Sequence, residues 1–275
     1  MVVIPDRFRR RVLTHAVSVS CSPNYPLILL VQGHPGDGKS FQAYETLKGN
    51  NFAVMRFSSV ELSGTFESES VTRFKEYYCR AAESAETIPG AIPVLLMEDF
   101  DLSPAGRREN SYYTVNSQLL SGFLMNLADD IALCKMDTTR RIPIVVTGND
   151  MSIVHGPLLR PGRVDVFTWR PTEHERTIMI HSALAGIVSP MEVNDAAKLA
   201  RMFRGLPISA FSAAVNFCIG HRAVQAAEAV GYIDLAAVEK AFATTSAVTL
   251  DELIGVLSER DGPGGRPGDF RRRRA

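Results

Sequence analysis

Nine consecutive residues near the N-terminal end have the composition of a loop that binds phosphate. Eight of them fit the pattern G-x-x-x-x-G-K-[ST], and the whole set is Gly33, His34, Pro35, Gly36, Asp37, Gly38, Lys39, Ser40 and Phe41. Glycines let backbone N–H groups curl around phosphate oxygens, the lysine reaches the β- and γ-phosphates, and a hydroxyl can ligate Mg²⁺. An apolar run precedes the loop and a helical pattern follows it, which is the context that the motif requires. The loop predicts binding of a nucleoside triphosphate with Mg²⁺.

An acidic run stands at the end of a second apolar stretch, residues 92–97. Glu98 and Asp99 follow this stretch directly, and Asp101 comes two residues later. Because carboxylates are costly inside a core, we expect them at the exposed carboxyl end of a strand, where ligands bind in open α/β sheets. There they can hold Mg²⁺ through water and activate the water that attacks a γ-phosphate. The predicted metal site consists of Ser40, Glu98 and Asp99, and the alternative is an acidic surface turn.

Three further polar residues predict a catalytic role only in combination with the loop and the acidic run. Asn149 follows the apolar stretch 142–147, where its amide could orient a water near the γ-phosphate; an ordinary Gly-Asn turn fits the same residues. Arg160 and Arg163 lie three residues apart in a turn. An arginine directed at the γ-phosphate of a neighbouring subunit stabilises the charge of the transition state. The predicted catalytic set is Glu98, Asp99, Asn149, Arg160 and Arg163.

The elements that must position these residues alternate between strand-like and helix-like patterns from residue 26 to about residue 168. Short apolar runs, the pattern of buried parallel strands, occupy residues 26–32, 51–57, 92–97, 142–147 and 164–168. Helical spacing of apolar residues separates them, most clearly at 71–85 and 114–128. This alternation predicts an α/β fold with a parallel five-stranded sheet flanked by helices.

After residue 170 the strand pattern disappears. Helices are predicted at 172–185, 192–203, 208–222, 234–243 and 250–258, with Thr172 and Glu175 as a capping-box pair at the first. We therefore predict an N-terminal lead-in at 1–25, an α/β nucleotide-binding domain at 26–170, a small helical domain at 171–259 and a flexible basic tail at 260–275. The arginine clusters of the first and last segments are either solvated surface or a patch for an acidic partner.

Composition argues against several classes of protein. The 275 residues carry a formal net charge of zero, which argues against nucleic acid and anionic membranes as partners. The four cysteines are widely spaced, a pattern that favours free thiols in a reducing cytoplasm over a disulfide scaffold or a metal knuckle. Every apolar run is shorter than the roughly 18 residues of a membrane span, and the N-terminus lacks the order of a signal peptide. We expect a cytoplasmic protein with no membrane segment.

The motifs occur in the order found in AAA+ ATPases of the P-loop NTPase class, and the sequence resembles the rubisco activases among them. The resemblance covers about residues 26–258, and the stretches that carry it are 26–29, 38–42, 113–118, 124–129, 142–150 and 157–163. It implies an AAA+ fold with a C-terminal helical lid, in a subunit that assembles into a homo-oligomeric ring, a hexamer. It also implies hydrolysis of ATP with Mg²⁺ to remodel a protein client, which in that family is rubisco carrying inhibitory sugar phosphates.

The resemblance assigns a role to each predicted site residue. Residues 33–41 hold the nucleotide, Asn149 is the first sensor, and Arg160 and Arg163 are arginine fingers. Glu98 and Asp99 reverse the usual order of aspartate and glutamate, so that Asp99 would activate the water. Phe66 aligns near the aromatic residue of the loop that lines the central pore, with a place in the core as the equal alternative.

The plant activases have an N-terminal domain, an insertion before the sensor strand and a redox cysteine pair that have no counterpart here, so the client is rubisco or another protein.

Two other functions remain open. A nucleotide switch that acts on nucleic acid would use the arginines at 271–274. An ATP-binding scaffold would assemble with little hydrolysis, for which the reversed Glu98-Asp99 order is the only support.

Overall fold

Two compact units make up the chain in its computed structural model. One unit spans Asp6–Arg170, and the other comprises the described residues of Met1–Pro5 and Pro171–Ala275. The structure describes residues 3–63, 66, 68–102, 115–150, 154, 156–228, 236, 238–239 and 247–261. Most of the predicted helix 234–243 and the tail from 262, with its four arginines, lie outside the described residues.

Five parallel strands form the centre of the first unit. They are β1 (Ile28–Gly33), β2 (Phe52–Ser58), β3 (Ile92–Glu98), β4 (Ile144–Gly148) and β5 (Val164–Trp169), in the spatial order β2-β3-β4-β1-β5. The predicted five-stranded parallel sheet is confirmed, with strand ends that differ by one or two residues. The strands read as nearly continuous apolar runs because helices cover both faces of such a sheet. Their carboxyl ends, where residues 33–41, Glu98, Asp99 and Asn149 lie, meet at one edge, whereas Arg160 and Arg163 precede β5.

Among the described residues, four helices cover this sheet: α1 (Asp6–Cys21), α2 (Lys39–Lys48), α3 (Glu69–Glu86) and α4 (Val115–Asp129). Helices α3 and α4 share a hydrophobic core with one face of the sheet, and their aromatic contributions to it are Phe74, Tyr78 and Phe123. Short 3₁₀ turns at Ser59–Leu62, Phe100–Leu102 and Gly156–Leu159 follow β2, follow β3 and precede β5.

Most of the predicted lead-in at residues 1–25 forms helix α1, which packs within the first unit. Its buried side chains recur at helical spacing, and the ring of Phe8 lies edge-on to that of Trp169 with centroids 4.9 Å apart. Two of its arginines also bind this unit: Arg7 donates to the carbonyl of Arg170 at 2.8 Å, and Arg11 pairs with Asp165. These contacts favour an anchored surface helix over a basic patch left open for a partner.

The second unit contains the helices α5 (Glu173–Leu184), α6 (Val193–Met202), α7 (Ile208–Glu228) and α8 (Leu250–Asp261). Helix α5 begins at the predicted capping box, in which the Glu175 N–H donates to Thr172 Oγ1 at 3.2 Å and the Thr172 N–H donates to Glu175 Oε2 at 2.7 Å. None of the helices in the described part of the chain is both long enough and apolar enough to cross a membrane.

Candidate nucleotide-binding site

The loop between β1 and α2 folds around the side chain of Lys39. Gly36 and Gly38 have φ values of 80° and 72°, in the left-handed region that glycine adopts without steric cost. The Lys39 Nζ atom donates to the carbonyl oxygens of Gly33 and His34 and to Asn149 Oδ1, each at 2.9 Å. All three protons of the ammonium group therefore have an oxygen partner, where the phosphate oxygens of a nucleotide could take their place.

Burial and nearby carboxylates act on Lys39 in opposite directions. Its side chain is only 6% exposed, and this loss of water lowers its pKa. The negative charges of Asp37, Asp101 and Asp99 oppose that shift. Two of these three carboxylates belong to the acidic run after β3, so the run lies in the electrostatic field of Lys39.

The start of the loop is held against β5. Gly33 pairs with Trp169 in the parallel register, and a Cβ atom added at Gly33 would lie 2.3 Å from the Trp169 carbonyl oxygen. The indole N–H of Trp169 and the side-chain amide of Gln42 donate to the Asp37 carbonyl at 3.3 Å and 3.0 Å. The loop is thus fixed from β5 on one side and from α2 on the other.

The hydroxyl of Ser40 lies at the end of β4. Ser40 Oγ and Thr147 Oγ1 are 2.7 Å apart, and Thr147 is 1% exposed. Since either hydroxyl can donate, Ser40 can turn its lone pairs toward a cation without losing this partner.

Asp101 and Asn149 form the contact between the ends of β3 and β4. Asp101 Oδ1 accepts from the Asn149 backbone N–H at 3.2 Å, and Oδ2 accepts from its side-chain amide at 3.3 Å. Because a carboxylate only accepts and an ammonium only donates, this pairing directs Asn149 Oδ1 to Lys39. Asn149 belongs to the predicted catalytic set, whereas Asp101 had no predicted role within the acidic run. Its position beside the end of a second strand became visible only with the strand order.

The expected acidic pair diverges in the structure. Glu98 forms a two-point ion pair with Arg56, with N···O distances of 3.0 Å and 3.1 Å, and the guanidinium lies 4.6 Å from the ring centroid of Tyr44. Asp99 is exposed, has a φ of 55°, and its carbonyl accepts from the Ser59 hydroxyl. The structure therefore brings Lys39, Asn149 and Asp101 together. The Glu98 carboxylate is instead paired with Arg56, a residue of β2.

Comparison with known proteins identifies the family to which this arrangement belongs. Residues 29–172 match the model of the ATPase family associated with various cellular activities (AAA). The chain belongs to the AAA family of ATPases. The match runs from β1 to the N-cap of α5 and includes all the site residues above. The predicted AAA+ fold is therefore confirmed, and membership of this family implies binding of ATP.

Relatives that this AAA ATPase matches include proteins named ribulose bisphosphate carboxylase/oxygenase activase. The protein of Anabaena sp. is 34% identical over 194 residues, which is 68% of this chain and 46% of the relative. The chloroplastic protein of Cucumis sativus is 32% identical over 194 residues, again 68% of this chain and 46% of the relative. The chain thus spans about half the length of these curated relatives.

The two predicted arginine fingers of this AAA ATPase have different environments. Arg163 donates to both carboxylate oxygens of Asp129, at 2.7 Å and 2.6 Å, and to the Pro157 carbonyl at 2.8 Å. This pairing raises the pKa of Arg163 and lowers that of Asp129. Arg160 is exposed, and within the described part of the chain its side chain donates no hydrogen bond. Of these two arginines, Arg160 is the one whose side chain makes no hydrogen bond to the described residues.

Phe66 is exposed to 77%, so it is not a core residue. This finding excludes the alternative that the sequence had left equal. Its assignment to a pore-lining loop of this AAA ATPase stays a prediction.

Proposed function

We propose that the chain is the motor of a ring-forming ATPase that remodels a protein client, as the name of its activase relatives suggests. The observation that supports hydrolysis best is the Lys39–Asn149–Asp101 cluster at the carboxyl ends of β1, β4 and β3. It provides a cation for the phosphates, an oriented amide beside it and a carboxylate that fixes the amide. Four free cysteines suit the cytoplasm, which we propose as its compartment.

The donor set of the site suits Mg²⁺ held together with a nucleotide. Among the described residues no group of three or more His, Cys, Asp or Glu side chains could hold a metal ion by itself. Mg²⁺ at nucleotide sites takes few protein ligands beside phosphate oxygens and water, and when bound it neutralises charge on the phosphates. We assign the direct ligand to Ser40 and the water activator to Asp99. Because the Glu98 carboxylate is paired with Arg56, we propose that Glu98 contacts Mg²⁺ indirectly, through water.

We propose that the active site is completed by a second copy of the chain. Arg160 follows a 3₁₀ turn before β5, is exposed, and could insert toward the γ-phosphate of a neighbouring subunit. A closed ring, for which we propose six subunits, would give every loop at residues 33–41 such a neighbour. Phe66 would then contact the client.

Inhibited rubisco is the client to test first. The protein is incubated with ATP, Mg²⁺ and rubisco that carries an inhibitory sugar phosphate, and both phosphate release and recovered carboxylation are measured. Lys39→Ala, which removes the phosphate-binding ammonium group, should be inactive in both measurements. ATP hydrolysis without recovery of carboxylation would support the proposed ATPase motor and exclude rubisco as its client. ATP-driven assembly without phosphate release would favour the scaffold.

Asp101→Asn is expected to reduce kcat for ATP hydrolysis about tenfold, with KM changed less than about threefold. An amide side chain at position 101 can accept only through its one oxygen, so Asn149 loses one bond and the constraint on its orientation. Steady-state kinetics with purified protein provide the measurement. Asp137→Asn, at an exposed position, is the matched control. An unchanged kcat would remove Asp101 from the site.

A further inference from the structure

Among the described residues, Phe66 is the large apolar side chain most open to solvent, although its backbone is held in place. The Phe66 N–H donates to Glu69 Oε2 at 3.3 Å, and the Phe66 carbonyl accepts from the Glu69 N–H at 3.4 Å. Glu69 is the first residue of α3. The ring therefore faces solvent from a backbone position that is tied to the start of a helix.

Arg73 connects both sides of Phe66. Its Nη1 atom donates to the carbonyl oxygens of Glu61 and Ser63, each at 2.9 Å, and its Nη2 atom pairs with Glu69 Oε1. One guanidinium group on α3 thus joins the chain before Phe66 to the carboxylate that holds the Phe66 N–H. The planar fork of an arginine can satisfy these divergent acceptors together.

Glu61, one of the residues that accept from this guanidinium, is itself held by two hydrogen bonds. Glu61 accepts from the Ser58 N–H at 2.8 Å and from the Tyr77 hydroxyl at 2.7 Å. The Tyr77 ring stacks on Phe57 of β2, with centroids 4.2 Å apart and an interplanar angle of 2°. The 3₁₀ turn Ser59–Leu62 is therefore fixed between β2 and α3.

The same 3₁₀ turn contacts the nucleotide site. Ser59 is fully buried and donates to the carbonyl of Asp99, the residue proposed to activate water. At its other end the turn supplies the Glu61 carbonyl to Arg73. Asp99 is thus connected to Phe66 by the hydrogen bond to Ser59, the backbone of the turn, and the hydrogen bonds from Arg73 to Glu61 and Glu69.

We propose that Arg73 is a positioning residue that holds Phe66 in register with the acidic end of β3 and so keeps its ring available for the client contact proposed above. The inference rests on the proposed function for the client but not for the geometry.

Arg73→Gln tests the brace without any client. Loss of the guanidinium should accelerate hydrogen–deuterium exchange at the Phe66 amide about tenfold, as expected for a bond network that opens locally. Basal ATP hydrolysis should stay within about twofold of the wild type, because Arg73 touches no nucleotide-binding residue. Arg80→Gln, at an exposed position two turns further along α3, should leave both measurements unchanged. Unchanged exchange at Phe66 in Arg73→Gln overturns the proposal.

Reactivation of inhibited rubisco separates this inference from the proposed function. If both hold, Phe66→Ala and Arg73→Gln lose reactivation to the same extent, whereas Arg80→Gln keeps it. If Phe66→Ala abolishes reactivation and Arg73→Gln retains it, the proposed role of Arg73 is overturned, whereas the proposed remodelling function remains supported. If Phe66→Ala reactivates rubisco as well as the wild type does, Phe66 does not contact this client. The part of the inference that concerns the client is then overturned.

Discussion

Replacing Arg160 by alanine is expected to reduce the ATPase rate of assembled rings about 10³-fold while ATP binding persists. The side chain is exposed and, among the described residues, donates no hydrogen bond in its own chain. Its contribution should therefore come from the charge it places on a neighbour's γ-phosphate in the transition state. Phosphate release and binding of a fluorescent ATP analogue, measured on the same preparation, distinguish the two effects. Arg140→Ala, at another exposed arginine, is the control.

Mixed rings test whether the arginine acts between subunits. Arg160→Ala subunits keep Lys39, and Lys39→Ala subunits keep Arg160, so a mixture contains interfaces at which one complete site forms. Hydrolysis should reappear in the mixture although each variant alone is inactive. An Arg160→Ala chain that hydrolyses ATP at the wild-type rate would contradict the shared active site.

Asp129 separates the roles of the two arginines. If Arg163 braces the turn that carries Arg160, Asp129→Asn should reduce hydrolysis as Arg163→Ala does, by about tenfold, and the double variant should be no worse. The reason is that both changes break the same two-point ion pair. If Arg163 were itself the finger, Asp129→Asn would release it and hydrolysis would be unchanged or faster.

The sequence predicted the parts of this site that depend on local pattern. Residues 33–41 lie between a buried strand and a helix because glycine, lysine and serine at fixed spacing encode one loop geometry. The strands were recognisable because burial on both faces requires uninterrupted apolar runs. Helix α1 also carried a local signal, since Phe8, Val12, Ala16 and Val19 recur at helical spacing and are all buried. That spacing could have placed it in the α/β unit.

The contacts that depend on strand order were beyond such patterns. Glu98 meets Arg56 only because β2 lies beside β3 with Ser58 opposite Glu98. The bond between Asp101 and Asn149 requires β4 to lie next to β3, and the sequence fixes no neighbours for a strand. Arg163 finds Asp129 at the end of α4, 34 residues earlier. In each case the residue type suggested a catalytic role. The arrangement of strands and helices then placed a specific partner beside the side chain.

Gly33→Ala is expected to destabilise the α/β unit by about 3 kcal/mol, the upper end of the usual cost of overpacking. The added Cβ would lie 2.3 Å from the Trp169 carbonyl oxygen, which is backbone in a strand and cannot rotate away. Relief requires β1 and β5 to separate at their carboxyl ends. Trp169 is fully buried against Phe8, so a shift of β5 would also disturb the packing of α1.

Denaturant unfolding provides the measurement, because Trp169 is the only tryptophan of the chain and reports on this unit. Gly122→Ala in α4 is the matched control: a Cβ there meets nothing within 4 Å, so the free energy of unfolding should stay equal or rise by up to about 1 kcal/mol. Separation of the two strand ends would also move the Gly33 carbonyl away from Lys39, so ATP should bind more weakly in Gly33→Ala. A Gly33→Ala protein with wild-type stability and affinity would mean that this close approach of β1 and β5 is not needed to seat the loop.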